Sequence, residues 1–466
     1  MTTTEMQITA EADKSAWPLL PAERNWGSWK LGISLATAAA ATWCYIIGEY
    51  VGYYLGFGKG FAALAAGSMI GMLIVAIAAV PICIRFGVDS IASTKPQFGS
   101  QGWVIPAAMQ QISIVGWNSL LLIFFAKSTT QLLIALGLMA EGETSLLVPI
   151  TILVACALVF LFLLKGSGGL DRIAKILVAH VFIGLWMLYI LLSQRWGDIS
   201  AAKPAYASGD PVWDYTTGIE IGIVSLLSWW PYIGAMVRMA PRGRTAAVPI
   251  MIGMGAPVPL LSLIGVAGIL ALQVSDPAQW LRTVGGPTYG IIALIFVAAA
   301  NLGTAVAGVY ASAIGLRHFP VLDKCSWPVL LLLTIAPVVL VGFFIPELFF
   351  NNFGSFLAFI GVTFAPLCGI QIADYFFLRN RRIDVRALFV GAPGSSYRFW
   401  GGWNPAALIA MAVGCGTYIY LLNPLTYVSH SPYDFTTASL PTIVIAGIVH
   451  ILATKVIVKP AGKGGY

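Results

Sequence analysis

The stretch Ser225-Leu-Leu-Ser-Trp-Trp-Pro-Tyr-Ile-Gly-Ala-Met-Val-Arg-Met-Ala-Pro241 decides how this chain is read. It lies in an apolar run that opens near Tyr215. Pro231 removes a backbone donor, and Gly234 weakens a helix three residues later. Backbone groups freed in this way at bilayer depth persist only against protein or around a water-filled cavity. Two adjacent tryptophans, Trp229 and Trp230, stand at the expected break. An interrupted helix flanked by aromatic rings suits a flat, polarised solute. A proline-kinked helix with tryptophan as a packing or interface anchor is the plain alternative, and the rest of the chain has to decide.

Of the 466 residues, 58% are hydrophobic and 10% charged, against about 25% charged in a soluble domain. Mean hydropathy is +0.85. Apolar runs of about 20 residues recur along the chain, so the expected class is an all-α polytopic membrane protein and not a barrel. The formal charge of +7 fits Lys and Arg gathered on cytoplasmic loops and needs no nucleic acid. The six cysteines fall mostly inside apolar runs with no Cys-x-x-Cys pair, which reads as buried thiols. Residues 1–24 lack the basic and short apolar regions of a cleaved signal peptide.

Twelve spans are expected, at 31–56, 60–84, 103–137, 145–164, 172–194, 215–240, 246–273, 287–316, 327–345, 353–378, 403–422 and 438–458. One side of the bilayer then collects Lys14, Arg24, Arg85, Lys95, Lys165, Arg172, Arg238, Arg242, Arg244, Arg317 and the Arg379–Arg398 group. The other holds only Lys59, Arg195, Lys203 and Arg282. This asymmetry puts both termini in the cytoplasm and the protein in the cell (inner or plasma) membrane. The expected division is a tail over 1–30, a core over 31–378 and a cytoplasmic loop over 379–402. Two accessory helices over 403–458 and a tail over 459–466 follow. The first span carries Ala41-Thr42-Trp43-Cys44 and an acid, Glu49; the sixth carries Trp229-Trp230-Pro231. Irregular segments in corresponding places of two halves, 31–194 and 215–378, point to a transporter site between them. No His-Glu-x-x-His, Gly-x-Ser-x-Gly or Walker-type phosphate loop is present, which argues against a metalloprotease, a serine hydrolase and an ATP-driven pump. No cofactor is implied. A membrane-embedded enzyme and a channel are the competing classes; the first would need clustered acids or histidines within the spans.

Several motifs resemble one known family. Ile372-Ala-Asp-Tyr-Phe-Phe-Leu-Arg379, with Arg382-Ile-Asp-Val385 after it, resembles the end of helix ten in the nucleobase–cation symporter family, permeases for cytosine, purines, uracil, allantoin and hydantoins. Tyr397-Arg-Phe-Trp-Gly-Gly-Trp-Asn-Pro405 is similar to its entry into helix eleven, and Phe86-Gly-Val-Asp-Ser90 with Phe98-Gly-Ser-Gln-Gly102 to its loop between helices two and three. Trp229-Trp-Pro-Tyr232 with Arg238 resembles its helix-six pattern. The resemblance implies the LeuT-like fold: two inverted five-helix repeats with helices one and six broken, plus two further helices. It implies secondary active uptake of a heterocycle stacked between aromatics of helices three and six, with hydrogen bonds from helices one, three, six and eight.

The implied substrate-binding residues are Trp117, Asn118, Trp229, Trp230, Glu49, Thr42, Asn301 and Gly308. Adjacent helical side chains point about 100° apart, so only one of Trp229 and Trp230 faces the site, and Trp229 aligns better. Three departures from the family pattern stand out: Ala235 where an Asp is frequent, Gly308 where an Asn is frequent, and Leu121 where a Gln is common. The polar groups that read a nucleobase are thinned out. Glu49 is an added acid inside the first span, where charge costs on the order of 3 kcal/mol. It is read as carrier of the coupling proton, or as counter-charge for a cationic pyrimidine or vitamin precursor, or as a solvated residue at the outer end of its helix. The ion-coupling residues are then Glu49 and Thr304; the resemblance implies a pair of hydroxyl ligands on helix eight for sodium, side-chain oxygens near Thr304 are scarce, and proton coupling, or no ion coupling, is expected over sodium. Glu220 reads as a solvated helix end, and His180 and His450 as packing residues.

Overall fold

The computed structural model describes residues 17–140, 146–164, 170–322, 324–389 and 395–466, with side chains left out over 165–180 and 244–245. The expectations for His180, Lys14, Lys165, Arg172 and Arg244 and for the start of the N-terminal tail lie outside the described residues. The helices in order are α1a (Ser28–Ala39) and α1b (Trp43–Gly52), α2 (Phe57–Phe86), α3 (Val104–Ala135), α4 (Leu147–Leu163) and α5 (Leu170–Ala201). Then come α6a (Pro211–Leu227) and α6b (Trp230–Val237), α7 (Ala246–Leu272), α8 (Pro277–Leu316), α9 (Trp327–Phe344) and α10 (Phe353–Leu378). The last two are α11 (Pro405–Leu421) and α12 (Ser439–Val458). Among the described residues, seven helices are long and apolar enough to cross a membrane, or nine with each bent pair counted as one span. Leu153, Phe162, Ile252, Leu333 and Val444 point outward and exposed. So much exposed apolar surface suits hydrocarbon and not water.

Two boundaries depart from expectation: α8 opens at Pro277 and not at 287, and α5 closes later than expected. The helix expected to close at 194 continues as α5 to Ala201, through a non-helical Arg195. Its last turns are polar, and beyond the hydrocarbon a helix no longer needs an apolar surface. The break in the sixth span falls at Ser228–Trp229, at the paired tryptophans as expected; Pro231 sits in the first turn of α6b where its missing N–H costs nothing. α6a and α6b meet at 44°, and α1a and α1b at 58°.

α1b runs along α7, α6a along α2, and α3 along α8; α5 packs on α7 and α8, while α11 and α12 pack on each other and on α10. The closest of these contacts are backbone to backbone. A Cβ on Gly265 of α7 would stand 1.8 Å from the Tyr45 carbonyl, and one on Gly67 of α2 would stand 2.2 Å from that of Ile219. Only glycine lets the chains approach this far. At the C-terminal end of α10 the helix-ten motif winds as a π turn, Ala373–Leu378. That winding places residues five apart over each other. Arg379 Nε donates to Asp374 Oδ2 at 2.7 Å, while Tyr466 Oη (2.8 Å) and His450 Nε2 (3.3 Å) meet Asp374 Oδ1.

Candidate functional site

The site begins at the first break. Ending α1a at Ala39 frees its last carbonyls, and residues of α1b take two of them: Trp43 Nε1 donates to Ala38 O at 3.2 Å and the Cys44 thiol to Ala39 O at 3.0 Å. The break is thereby held shut by its own second half. The same hydrogen bond aims the Trp43 ring. It lies 5.7 Å from Trp117 of α3, edge-on at 75°, and 5.7 Å from Trp229 at the second break. Phe353 of α10 closes on Trp117 from the other side at 5.2 Å. Trp43 was not among the site residues expected from sequence, although it stands in the Ala41-Thr42-Trp43-Cys44 segment of the first span.

The second break is held from outside its helix. Ser90, in the turn after α2, donates to the Trp230 carbonyl at 2.8 Å and accepts from Gly234 N–H at 3.1 Å. A hydroxyl has thus entered one rung of the α6b ladder. Gly234 admits it, since a Cβ there would stand 2.2 Å from Ser90 Oγ. Of the two tryptophans, Trp229 joins Trp43 and Tyr232, at 5.7 and 5.0 Å. Trp230 turns to α10: its ring meets Phe364 and its Nε1 donates to Gln371 Oε1 at 2.7 Å. Adjacent positions on a helix cannot share a face, so the structure brings Trp229 and not Trp230 to Trp43.

Polar groups surround the rings. Thr42, in the first break, donates to Asn301 Oδ1 of α8. Asn301 Nδ2, both amide atoms of Asn118 and Trp117 Nε1 are buried without a protein partner. Asn118 fills the space that Gly308 leaves; a Cβ on Gly308 would stand 2.3 Å from Asn118 Oδ1. Unpaired buried amides are costly, and each is a group a ligand would satisfy. Thr304 is half-buried and donates to its own helix, at Ala300 O, 3.0 Å.

The acids depart furthest from expectation. Glu49 is 3% exposed, which removes the solvated reading. Tyr53 Oη donates to its Oε1 at 2.7 Å, while Oε2 is buried without a partner. It sits six residues along α1b from Trp43, about 9 Å by helical rise, and apart from the aromatic group. Glu220 is 2% exposed and not a solvated helix end. Its Oε1 accepts from Tyr418 Oη and Ser439 Oγ, at 2.7 and 2.6 Å. Its Oε2 accepts from the Ala438 and Ser439 amides, at 3.2 and 3.1 Å. It lies within α6a and not at its end, and its partners on α11 and α12 lie about 200 residues away in the chain.

In the turn after α2, Asp89 is tied to His318 past the end of α8 at 2.6 Å. Burial alone would raise its carboxyl pKa. The His318 imidazole, with Arg238 and the Ala92 amide, outweighs burial and holds it well below the usual range.

A family described as permeases for cytosine/purines, uracil, thiamine and allantoin matches residues 18–440 of this chain. The chain belongs to this family. It is 24% identical to the hydantoin permease of Microbacterium maritypicum, over 75% of this chain and 72% of that protein. To the cytosine permease of Escherichia coli K12 it is 23% identical, over 73% and 78%. The fold is similar to that of Mhp1 in its inward-facing conformation, with TM-score 0.81 and 20% identity, over 96% of this chain and 94% of that one. Mhp1, a nucleobase-cation-symport-1 family transporter, also matches in a closed conformation with bromovinylhydantoin bound, at TM-score 0.76. As a family member the chain is a multi-pass secondary transporter of a nucleobase-like small molecule, working by alternating access in an Mhp1-like helical fold, and not an enzyme.

Proposed function

We propose that the chain is a symporter importing a flat nitrogen heterocycle of nucleobase size, with twelve spans and both termini cytoplasmic. Twelve is supported by helix positions: the seven long apolar helices, the two bent pairs, the shorter apolar helices α4 and α11, and α5 each fall on one expected span. The skew of basic residues supports the orientation. The packing supports inverted repeats over 31–194 and 215–378. Exchanging the halves turns the pairing of α1 with α7 into that of α6 with α2, and returns α3 with α8 to itself.

The observation carrying the substrate reading is the meeting of Trp43, Trp117 and Trp229, from three elements, beside buried amides that have no protein partner. Stacking on such rings contributes roughly 1 kcal/mol beyond burial. Thr42, Asn118, Asn301 and Gly308 line the polar side of this site. Trp117→Ala and Trp229→Ala should each weaken substrate binding at least tenfold in protein that still inserts; unchanged binding in both would remove the stacking arrangement.

For coupling we favour a proton on Glu49. A buried carboxylate with one unpartnered oxygen is expensive charged and tolerable protonated. Sodium is less well served. Thr304 is turned to its own helix, and the Ala38 and Ala39 carbonyls are engaged by side chains. Glu49→Gln keeps the shape but cannot ionise. It should abolish gradient-driven accumulation and leave binding and exchange. A second reading, supported by thiamine among the family's named substrates, makes Glu49 the counter-charge for a cationic ring. Glu49→Gln would then weaken cationic ligands selectively.

A further inference from the structure

The contacts of Trp230 and Ser90 close into a circuit of hydrogen bonds. Trp230 Nε1 donates to Gln371 Oε1 of α10 at 2.7 Å, and Gln371 Nε2 donates to Ser93 Oγ at 3.0 Å. Ser93 Oγ donates to the Ser90 carbonyl at 2.6 Å, and Ser90 Oγ donates back to the Trp230 carbonyl at 2.8 Å. All four residues are buried. The turn that carries both serines is itself fixed, because Asp89 accepts from the Ala92 amide at 2.8 Å and meets His318 at 2.6 Å. Three segments, α6b, α10 and the turn after α2, are thus joined at one residue of α6b.

That residue stands next to the stacking ring. Trp229 caps the N-terminus of α6b, and the two halves of the broken helix meet there at 44°. α6a therefore does not hand its orientation on across the break. The direction of the Trp229 ring follows from the rotation of α6b about its own axis. A residue pinned at both its carbonyl and its ring nitrogen fixes that rotation, and its neighbour, about 100° round the helix, is fixed with it. The apolar contact of Trp230 with Phe364, at 5.7 Å between ring centres, tolerates rotation; a hydrogen bond, which weakens steeply off its axis, does not. We infer that Gln371 and Ser93 are positioning residues for substrate binding: acting through Trp230 and Ser90, they hold Trp229 in its stacking orientation. The inference rests on the reading of Trp229 as a stacking ring. It also gives the buried polar groups a use. A polar circuit in an apolar core contributes little net stability and a good deal of directional definition.

Two measurements test this. Gln371→Met keeps the length of the side chain and removes its hydrogen bonds, and Ser93→Ala opens the same circuit at another link. The first measurement needs no ligand. In full-length protein labelled with 5-fluorotryptophan, the fluorine resonances of Trp229, Trp230 and Trp213 are assigned by tryptophan-to-phenylalanine substitution. Trp213, in the first turn of α6a and bonded to Ser429 Oγ, is the reference. Both variants should shift Trp229 together with Trp230 and leave Trp213 in place. Movement of Trp230 alone, or of all three, would overturn the inference, the latter because it reports general loosening. The second measurement is affinity by thermal shift, with cytosine, uracil, adenine, allantoin and thiamine as probes. Gln371→Met should weaken the probes that bind by about fivefold, the size of a misplaced stacking contact, and should have no effect in the Trp229→Ala background, where the positioned ring is gone. Equal losses in both backgrounds would overturn it as well. Should Gln371→Met fail to insert, Ser93→Ala carries both measurements. Trp229→Ala separates the two levels. Wild-type affinity in that variant defeats the stacking reading itself; weakened affinity there, with wild-type affinity in Gln371→Met and Ser93→Ala, defeats only the positioning role.

Discussion

Glu220→Leu tests whether the buried acid of α6a is what fastens α11 and α12 to the core. The substitution preserves bulk and removes an acceptor of four hydrogen bonds. The Tyr418 and Ser439 hydroxyls can rotate towards other acceptors. The Ala438 and Ser439 amides, at the start of α12, cannot. Two orphaned amides at about 1–3 kcal/mol each give a loss of roughly 4 kcal/mol. Glu220→Gln is the graded control. Its carbonyl can take the amides while its NH2 group meets the hydroxyls, so only charge assistance is lost, about 1 kcal/mol. Chemical denaturation in detergent measures both. Tyr418→Phe in the Glu220→Leu background should then cost less than in the wild type, since the bond is already gone. A loss below 1 kcal/mol for the Leu variant, or equal losses for Leu and Gln, would refute the argument that the two backbone amides depend on this carboxylate.

Three further outcomes are expected. The depressed Asp89 carboxyl contributes stability that is present above its unfolded value of about 4 and is lost as pH falls towards the folded value; acid unfolding of Asp89→Asn should therefore be shallower below about pH 4 than in the wild type. Gly308→Ala drives a methyl group into Asn118 and should impair substrate binding more than Ala307→Gly, an exposed neighbour, as read by ligand-induced thermal shift. Substrate binding should be insensitive to sodium, and equally so in Thr304→Ala; sodium stimulation lost in that variant would place sodium at α8 after all.

Much of this architecture was legible because hydrocarbon imposes one demand on every span, and runs of apolar residues answer it visibly. The sixth-span break was legible for a related reason: Pro231 and Gly234 weaken the helix and leave backbone groups that must be met by something. What met them was not legible. Ser90 entering α6b, Asn118 filling the space at Gly308 and the Tyr418–Ser439 cradle around Glu220 are contacts across 140 to 219 residues of chain. Hydropathy reports how deep a residue lies along a helix and nothing about the direction it faces. That is why Glu220 was taken for a solvated end and Trp43 passed as part of an apolar run.

The glycine contacts have a mechanical consequence. Where α1b touches α7 and α6a touches α2 at backbone distance, no side chains remain between them to slide or repack. α1a is joined to α7 in the same way, a Cβ on Gly253 standing 2.6 Å from Gly32 O. The two broken helices and their unbroken partners then travel as one block. Trp43 and Trp229 ride on that block, while Trp117, Asn118 and Asn301 ride on α3 and α8. The heterocycle would lie in the seam between two rigid bodies, acting as mortar between them. Its affinity would be felt as a change in how the bodies lean, and a ligand that gripped one face of the seam alone would bind without driving any movement.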